Sequence, residues 1–120
     1  MTKVLIVDDA SEARLIGKYL LRPYNVEVFE ASNGKEAWTV IIREKPDVIL
    51  LDLKMPLMDG FEVLQELHSE AYQIPVIVIT SDTSNDVHKL CQALGVLGIF
   101  SKPVNLKGFH STFSNVCQLS

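Results

Sequence analysis

The sequence is poor in cysteine and histidine and has no long apolar run, and each shortage argues against a class of protein. Its two cysteines, Cys91 and Cys117, lie far apart without CxxC spacing, so we predict small apolar residues on helix faces rather than metal ligands or a disulfide. The three histidines are scattered, which disfavours a zinc site. No apolar run is long enough to span a bilayer and nothing resembles a signal peptide, so we expect a soluble cytoplasmic protein.

An excess of positive charge is also lacking, because 11 basic residues stand against 15 acidic ones and give a net charge of −4. Non-specific nucleic-acid binding needs a basic face, so we do not expect direct nucleic-acid binding. What is present is an ordinary globular composition, 48% hydrophobic and 22% charged. A length of 120 residues supports one core, and we predict that residues 1–120 form a single domain.

Apolar runs of strand length recur along the chain, at residues 3–9, 26–31, 47–52, 75–80 and 97–102. The first, third and fourth are uninterrupted, as in central strands of a parallel sheet that is covered on both faces. Glu27 and Glu30 interrupt the second run and Gly98 weakens the fifth, so we place these two at the edges.

The segments between the strands have helical periodicity and recognisable ends. Asn33 with Glu36, and Asp59 with Glu62, have the spacing of a capping box at a helix start. Gly95 fits the residue that follows a helix end. The apolar faces that we expect to be buried include Ala13, Ile16, Leu20 and Leu21 of the first helix, Val87, Leu90, Cys91 and Leu94 of the fourth, and Leu106, Phe109, Phe113 and Val116 of the last, which we expect to start near Val104.

Strand and helix alternate five times with short connections, which favours an α/β fold with right-handed crossovers and helices on both faces. The central and edge assignments predict a doubly wound five-stranded parallel sheet in the order 2-1-3-4-5. Ligands of such sheets bind beyond the carboxyl ends of the strands, where the winding reverses between strands one and three.

Polar side chains follow the strands at these carboxyl ends. Each has an ordinary explanation when taken alone, such as a helix cap, a strand end or a solvated charge. Their joint position at one edge favours a functional site instead. The residues are Asp8 and Asp9 after the first strand, Asp52 after the third, Thr80 at the end of the fourth, and Lys102 after the fifth.

Three carboxylates at one place require a compensating charge. Two of them about 5 Å apart repel by roughly 3 kcal/mol at an effective dielectric constant of about 20. Lys102 alone cannot offset three, whereas a divalent cation with oxygen ligands can, and Mg²⁺ suits carboxylates and phosphate. A carboxylate beside Mg²⁺, with a lysine and a hydroxyl nearby, predicts phosphoryl transfer with an aspartate as the nucleophile.

Four motifs in this order, "VDDA", "LLDLKMPLMDG", "VIVITS" and "IFSKP", resemble the receiver (phosphoacceptor) domain of two-component response regulators, the CheY-like family with a flavodoxin-like fold. The resemblance spans essentially the whole chain. It implies that Asp52 accepts a phosphoryl group from a phosphohistidine on a sensor histidine kinase or a histidine phosphotransfer protein. It also implies that Asp8, Asp9, Asp52 and the backbone carbonyl of Lys54 hold Mg²⁺ or Mn²⁺.

The resemblance further implies a switch. Lys102 would pair with phosphoryl oxygens, Thr80 would hydrogen-bond one of them, and Phe100 would swing inward as Thr80 moves. The expected readout surface is helix four, strand five and helix five. Ser81 and Pro103 would support the site, the Lys102–Pro103 bond is usually cis in the family, and Lys54 and Asp82 occupy positions that tune dephosphorylation.

The output side departs from the usual family pattern. Gly95-Val96 replaces a common Gly-Ala, and the last helix carries one charged residue, Lys107. The downstream target, a following effector domain and a phosphorylation-dependent dimer therefore stay open, while no membrane partner is expected. We expect no enzymatic activity beyond the domain's own phosphorylation and dephosphorylation.

Two alternatives share parts of this chemistry. An aspartyl-phosphate phosphatase or phosphotransferase of the haloacid-dehalogenase kind usually has a D-x-D motif after the first strand, whereas this chain has Asp8-Asp9-Ala10. A non-switching interaction domain of the same fold would not need the acidic pair, the acceptor, the threonine and the lysine together.

Overall fold

The structure, a computed structural model, describes residues 1–53, 60–70, 72–82 and 84–119. Five strands form one parallel sheet in the order β2-β1-β3-β4-β5, which confirms the predicted topology. The elements are β1 (Thr2–Val7), α1 (Ser11–Leu20), β2 (Val26–Ala31), α2 (Gly34–Glu44), β3 (Val48–Leu51), α3 (Gly60–Ser69), β4 (Val76–Thr80), α4 (Asn85–Ala93), β5 (Gly98–Ser101) and α5 (Leu106–Leu119).

The central strands are apolar because both of their faces are covered. Along β1, Leu5 and Val7 face one hydrophobic cluster, and Val4 and Ile6 face the other. The first cluster includes side chains of α2, α3 and α4, and the second includes side chains of α1 and α5. Since side chains alternate along a strand, a polar residue anywhere in the run would enter a core. This explains why the charged residues Asp8 and Asp9 occur only after the strand has ended.

The predicted caps at Asn33 and Gly95 are found, with one difference in the hydrogen bonding of Glu36. Asn33 caps α2, its Oδ1 accepting a hydrogen bond from the Glu36 N–H at 2.9 Å. The Glu36 carboxylate bonds Ser32 instead of Asn33, at 2.7 Å from the backbone nitrogen and 2.8 Å from the hydroxyl. Gly95 follows α4 with φ of 77°, as predicted. The expected cap at Asp59 lies outside the described residues.

Three of the residues expected in helix cores are exposed. Ile16 is 56% exposed, because α1 turns Gly17 and Leu20 toward the sheet, and a Cβ on Gly17 would lie 3.0 Å from Ile6 Cδ1. Leu106 is 50% exposed at the first turn of α5, which starts two residues later than predicted. Leu90 is 38% exposed. Because glycine has no side chain, α1 packs against the sheet at Gly17, and this contact determines which face of the helix is buried.

Cys91 is fully buried in the first cluster, as predicted, whereas the side chain of Cys117 lies outside the described part. Among the helices that the structure describes, none is both long enough and apolar enough to cross a membrane.

Candidate functional site

The backbone carries two of the acids one residue past their strands. The Asp52 N–H donates to the Val7 carbonyl at 2.9 Å, and the Asp8 N–H donates to the Ala31 carbonyl at 3.1 Å. The ladder of the sheet therefore continues through both residues and fixes where their side chains start. On the other side of β3, the Lys102 N–H donates to the Thr80 carbonyl at 3.1 Å.

The three carboxylates predicted to meet do so. One oxygen from each of Asp8, Asp9 and Asp52 lies within 4.8 Å of the others. Asp8 and Asp52 are 5% and 7% exposed, while Asp9 is exposed. A set of carboxylate oxygens without nitrogen or sulfur donors suits a hard cation such as Mg²⁺ or Mn²⁺, so the residues present fit the ion that the sequence predicts.

Lys102 bridges two of these acids. Its Nζ lies 2.8 Å from Asp8 Oδ2 and 3.3 Å from Asp52 Oδ2. Partial burial opposes its charge, but the Asp8 hydrogen bond and the charges of Asp52 and Asp8 outweigh this effect and raise the pKa of Lys102. The ammonium therefore stays protonated at neutral pH, and both ion pairs persist.

Thr80 is fully buried and already hydrogen-bonded to the loop that follows it. Its Oγ1 accepts from the Asp82 N–H at 3.2 Å, and Asp82 Oδ1 accepts from the Ser84 N–H at 3.2 Å. Ser84 is the N-cap of α4, its Oγ accepting from the Val87 N–H. Two hydrogen bonds thus connect the Thr80 hydroxyl to the start of α4, while Ser81 is exposed.

Phe100 lies on the side of the sheet that α5 covers. Its ring makes an edge contact with Phe109, with centroids 6.1 Å apart. Gly98 leaves space for it, since a Cβ there would lie 3.2 Å from the ring, whereas a Cβ on Gly108 would contact the ring at 3.4 Å. The Lys102–Pro103 bond is cis, as the resemblance implied. Lys54 lies outside the described residues.

Two residues at the site were not predicted. Arg14 of α1 donates from Nη1 to the backbone carbonyl of Asp8 at 2.7 Å. Gly60, the first residue of α3, donates its N–H to the Leu53 carbonyl at 3.0 Å. A Cβ on Gly60 would overlap the Asp52 carbonyl oxygen and lie 2.5 Å from Leu53 Cα. In the sequence this glycine is explained by a turn alone. Nothing in the sequence predicts that it lies against the main chain of Asp52 and Leu53.

Comparison with known families identifies the kind of domain that carries this site. The family model described as the response regulator receiver domain matches residues 4–113. The chain belongs to this family. It is therefore a receiver domain of two-component signalling, a phosphoacceptor module, as the sequence predicted.

Individual relatives agree with the family assignment. The chain is 35% identical over 104 residues to sporulation initiation phosphotransferase F of Bacillus subtilis (strain 168), covering 87% of this chain and 84% of that protein. Among solved structures, the chemotaxis protein CheY4 of Vibrio cholerae superposes with a TM-score of 0.85 at 31% identity, covering 97% of this chain and 98% of that one.

Other relatives are much longer than the matched region. A protein-glutamate methylesterase/protein-glutamine glutaminase of Bacillus subtilis (strain 168) is 37% identical over 107 residues, covering 86% of this chain but 30% of that protein. The chain spans only 30–52% of the length of several curated relatives.

Proposed function

We propose that Asp52 is the phosphoacceptor of this receiver domain. The observation that carries the proposal is its place in the sheet. Asp52 follows β3, between the acids of β1 and the hydroxyl of β4, and its Oδ2 is 3.3 Å from Lys102 Nζ. Asp8 is held on both sides, its Oδ1 accepting from the Ala10 N–H and its Oδ2 from Lys102, which suits a fixed metal ligand.

The reaction follows from this arrangement. An oxygen of Asp52 attacks the phosphorus of a phosphohistidine, the phosphorus–nitrogen bond breaks, and its electron pair returns to the imidazole of the donor. Asp8, Asp9, Asp52 and the Lys54 carbonyl would hold Mg²⁺ or Mn²⁺, which when bound would neutralise charge on the transferring group. Lys102 is close enough to exchange its hydrogen bond from Asp52 to a phosphoryl oxygen.

The switch would begin at Thr80. Its hydroxyl accepts from Asp82, so its own proton is available to a phosphoryl oxygen, and a shift would pull on the start of α4. Phe100, packed against α5, would respond on the next strand, and the face of α4, β5 and α5 would carry the signal to a target. Ser81 and Pro103 as supports, and Asp82 and Lys54 in dephosphorylation, remain predictions.

The domain's chemistry, in this proposal, is limited to its own phosphorylation and dephosphorylation. The two methylesterase/glutaminase relatives extend well beyond the matched region, which supports this limit. The partners that we propose are a histidine kinase or histidine phosphotransfer protein in the cytoplasm and a downstream target.

We expect the protein, with Mg²⁺ and a small phosphodonor such as acetyl phosphate, to gain the mass of one phosphate. The reason is that the carboxylates of Asp8, Asp9 and Asp52 already lie together, with Lys102 paired to two of them. Intact-mass spectrometry measures the gain, chelation of Mg²⁺ should prevent it, and borohydride reduction with peptide mapping should place it at residue 52. Absence of any gain at millimolar Mg²⁺ would contradict the proposal.

An apolar groove next to the acids provides a docking surface for the phosphodonor protein. It has a volume of about 480 Å³, and its lining includes Asp52 and Lys102 as well as Ile16, Tyr19 and Leu106. Ile16 and Tyr19 of α1 are 56% and 60% exposed. A donor must bring its phosphorus to Asp52, so its surface has to cover this groove, and burial of these side chains would stabilise the complex.

Ile16→Ser is therefore expected to slow phosphotransfer from a phosphohistidine protein roughly tenfold, since truncating a central interface residue costs more than about 1 kcal/mol. Phosphorylation by acetyl phosphate should be unchanged. Ile42→Ser is the matched control, because Ile42 is 64% exposed on α2, across the sheet. Equal slowing by both variants, or none by Ile16→Ser, would place the donor elsewhere.

A further inference from the structure

Arg14 connects the acidic loop to the neighbouring strand. Its Nη1 donates to the Asp8 carbonyl at 2.7 Å, and its Nε donates to Glu30 Oε1 at 3.1 Å. The Arg14 side chain is only 19% exposed. The planar guanidinium presents donors in a fixed fork, so one side chain can hold both acceptors at once.

Glu30, on the edge strand β2, anchors this arrangement. Its Oε2 is 2.6 Å from Lys18 Nζ, one helical turn after Arg14. The hydrogen bond from Lys18 lowers the pKa of Glu30 against the opposing effect of partial burial, and Arg14 lowers it further. The carboxylate is therefore ionised at neutral pH and holds Arg14 against the strand.

The acceptor on Asp8 is the carbonyl of the peptide bond that leads to Asp9. Because a peptide unit is planar, fixing this oxygen also fixes the N–H and Cα of Asp9. The Asp9 side chain is exposed, and the described part of the chain shows no ion pair or hydrogen bond from its carboxylate. Its direction toward Asp52 thus depends on the backbone.

We propose that Arg14 is a positioning residue for the metal site: by tying the Asp8–Asp9 peptide to Glu30, it aims the Asp9 carboxylate at the place where Mg²⁺ binds. This inference rests on the proposed function and adds a residue to it. Partners that orient metal ligands typically change affinity by about 10–100-fold when removed.

The direction in which removal of Arg14 changes the Mg²⁺ affinity distinguishes a positioning role from an effect of charge. A guanidinium near a cation site repels the cation, so its removal should strengthen Mg²⁺ binding if charge alone matters. Positioning requires the opposite result. Lys18 offers a matched control, because it lies on the same helix, pairs with the same Glu30 and carries the same charge, yet shows no bond to Asp8 among the described contacts.

The test is Mg²⁺ titration of the whole protein, followed by backbone amide NMR shifts around Asp9 and Asp52. We expect Arg14→Ala to weaken binding about tenfold or more, with Lys18→Ala within about twofold of the wild type. At saturating Mg²⁺, phosphorylation of Arg14→Ala by acetyl phosphate should recover to near the wild-type rate, which a general loss of structure would prevent.

Arg14→Ala that binds Mg²⁺ as well as or better than the wild type would overturn the inference, as would equal weakening by Lys18→Ala. If circular dichroism shows Arg14→Ala to be unfolded, Arg14→Lys decides by the same criteria, since it keeps the charge but lacks the fork. A wild type that binds no Mg²⁺ would instead contradict the proposed function, so the two failures are distinguishable.

Discussion

Asp52→Asn is expected to abolish phosphorylation by acetyl phosphate in the presence of Mg²⁺. An amide oxygen is a poor nucleophile and cannot form a stable acyl phosphate, so the reaction loses the group that makes the new bond. We expect the rate to fall by more than about 10³-fold, equivalent to roughly 4 kcal/mol in the barrier. Intact-mass spectrometry under the conditions that label the wild type measures this loss.

Stability distinguishes lost chemistry from lost structure in this variant. Asp52→Asn removes one of three clustered carboxylates, while Lys102 keeps its 2.8 Å pair with Asp8. Without divalent cations the variant should therefore be at least as resistant to denaturant as the wild type. Asp47→Asn, just before the same strand, is the matched control and should be phosphorylated normally. A phosphate on Asp52→Asn would assign the acceptor to another residue.

The topology and the cluster of acids could be predicted because both follow from local patterns. Uninterrupted apolar runs such as Val48–Leu51 identify central strands, since their side chains alternate between two cores. In a parallel sheet the residues that follow such runs must meet at one edge. The strand pattern alone was therefore enough to predict that Asp52 and Lys102 lie together, although they are 50 residues apart in sequence.

The orientation of α1 could not be predicted in the same way. Periodicity placed Ile16 inward, but the helix packs closely at Gly17, so its buried face is set by a position without a side chain. That rotation exposes Ile16 and Tyr19 beside the acids, and Arg14 reaches the Asp8 carbonyl from the same helix. A hydrogen bond from a side chain to a backbone carbonyl of another segment leaves no pattern in the sequence.

Gly60→Ala is expected to have the largest effect on stability. A Cβ at this position would overlap the carbonyl oxygen of Asp52 and lie 2.5 Å from Leu53 Cα, and a main chain cannot rotate away as a side chain can. The start of α3 would have to separate from the residue that carries the acceptor. We expect a loss of about 3 kcal/mol or more in the free energy of unfolding, measured by urea denaturation.

Gly108→Ala is the control for this effect, because it makes the same change inside α5. Its Cβ would lie 3.4 Å from Phe100 and 3.5 Å from Asn105 Oδ1, which are ordinary contacts. Alanine is favoured over glycine in a helix by roughly 0.5–1 kcal/mol, so this variant should be as stable as the wild type or more so. Equal midpoints for the two variants would mean that α3 does not need a glycine against the acceptor.

If Gly60→Ala still folds, its slower phosphorylation by acetyl phosphate would show that the same close approach also holds Asp52 in place.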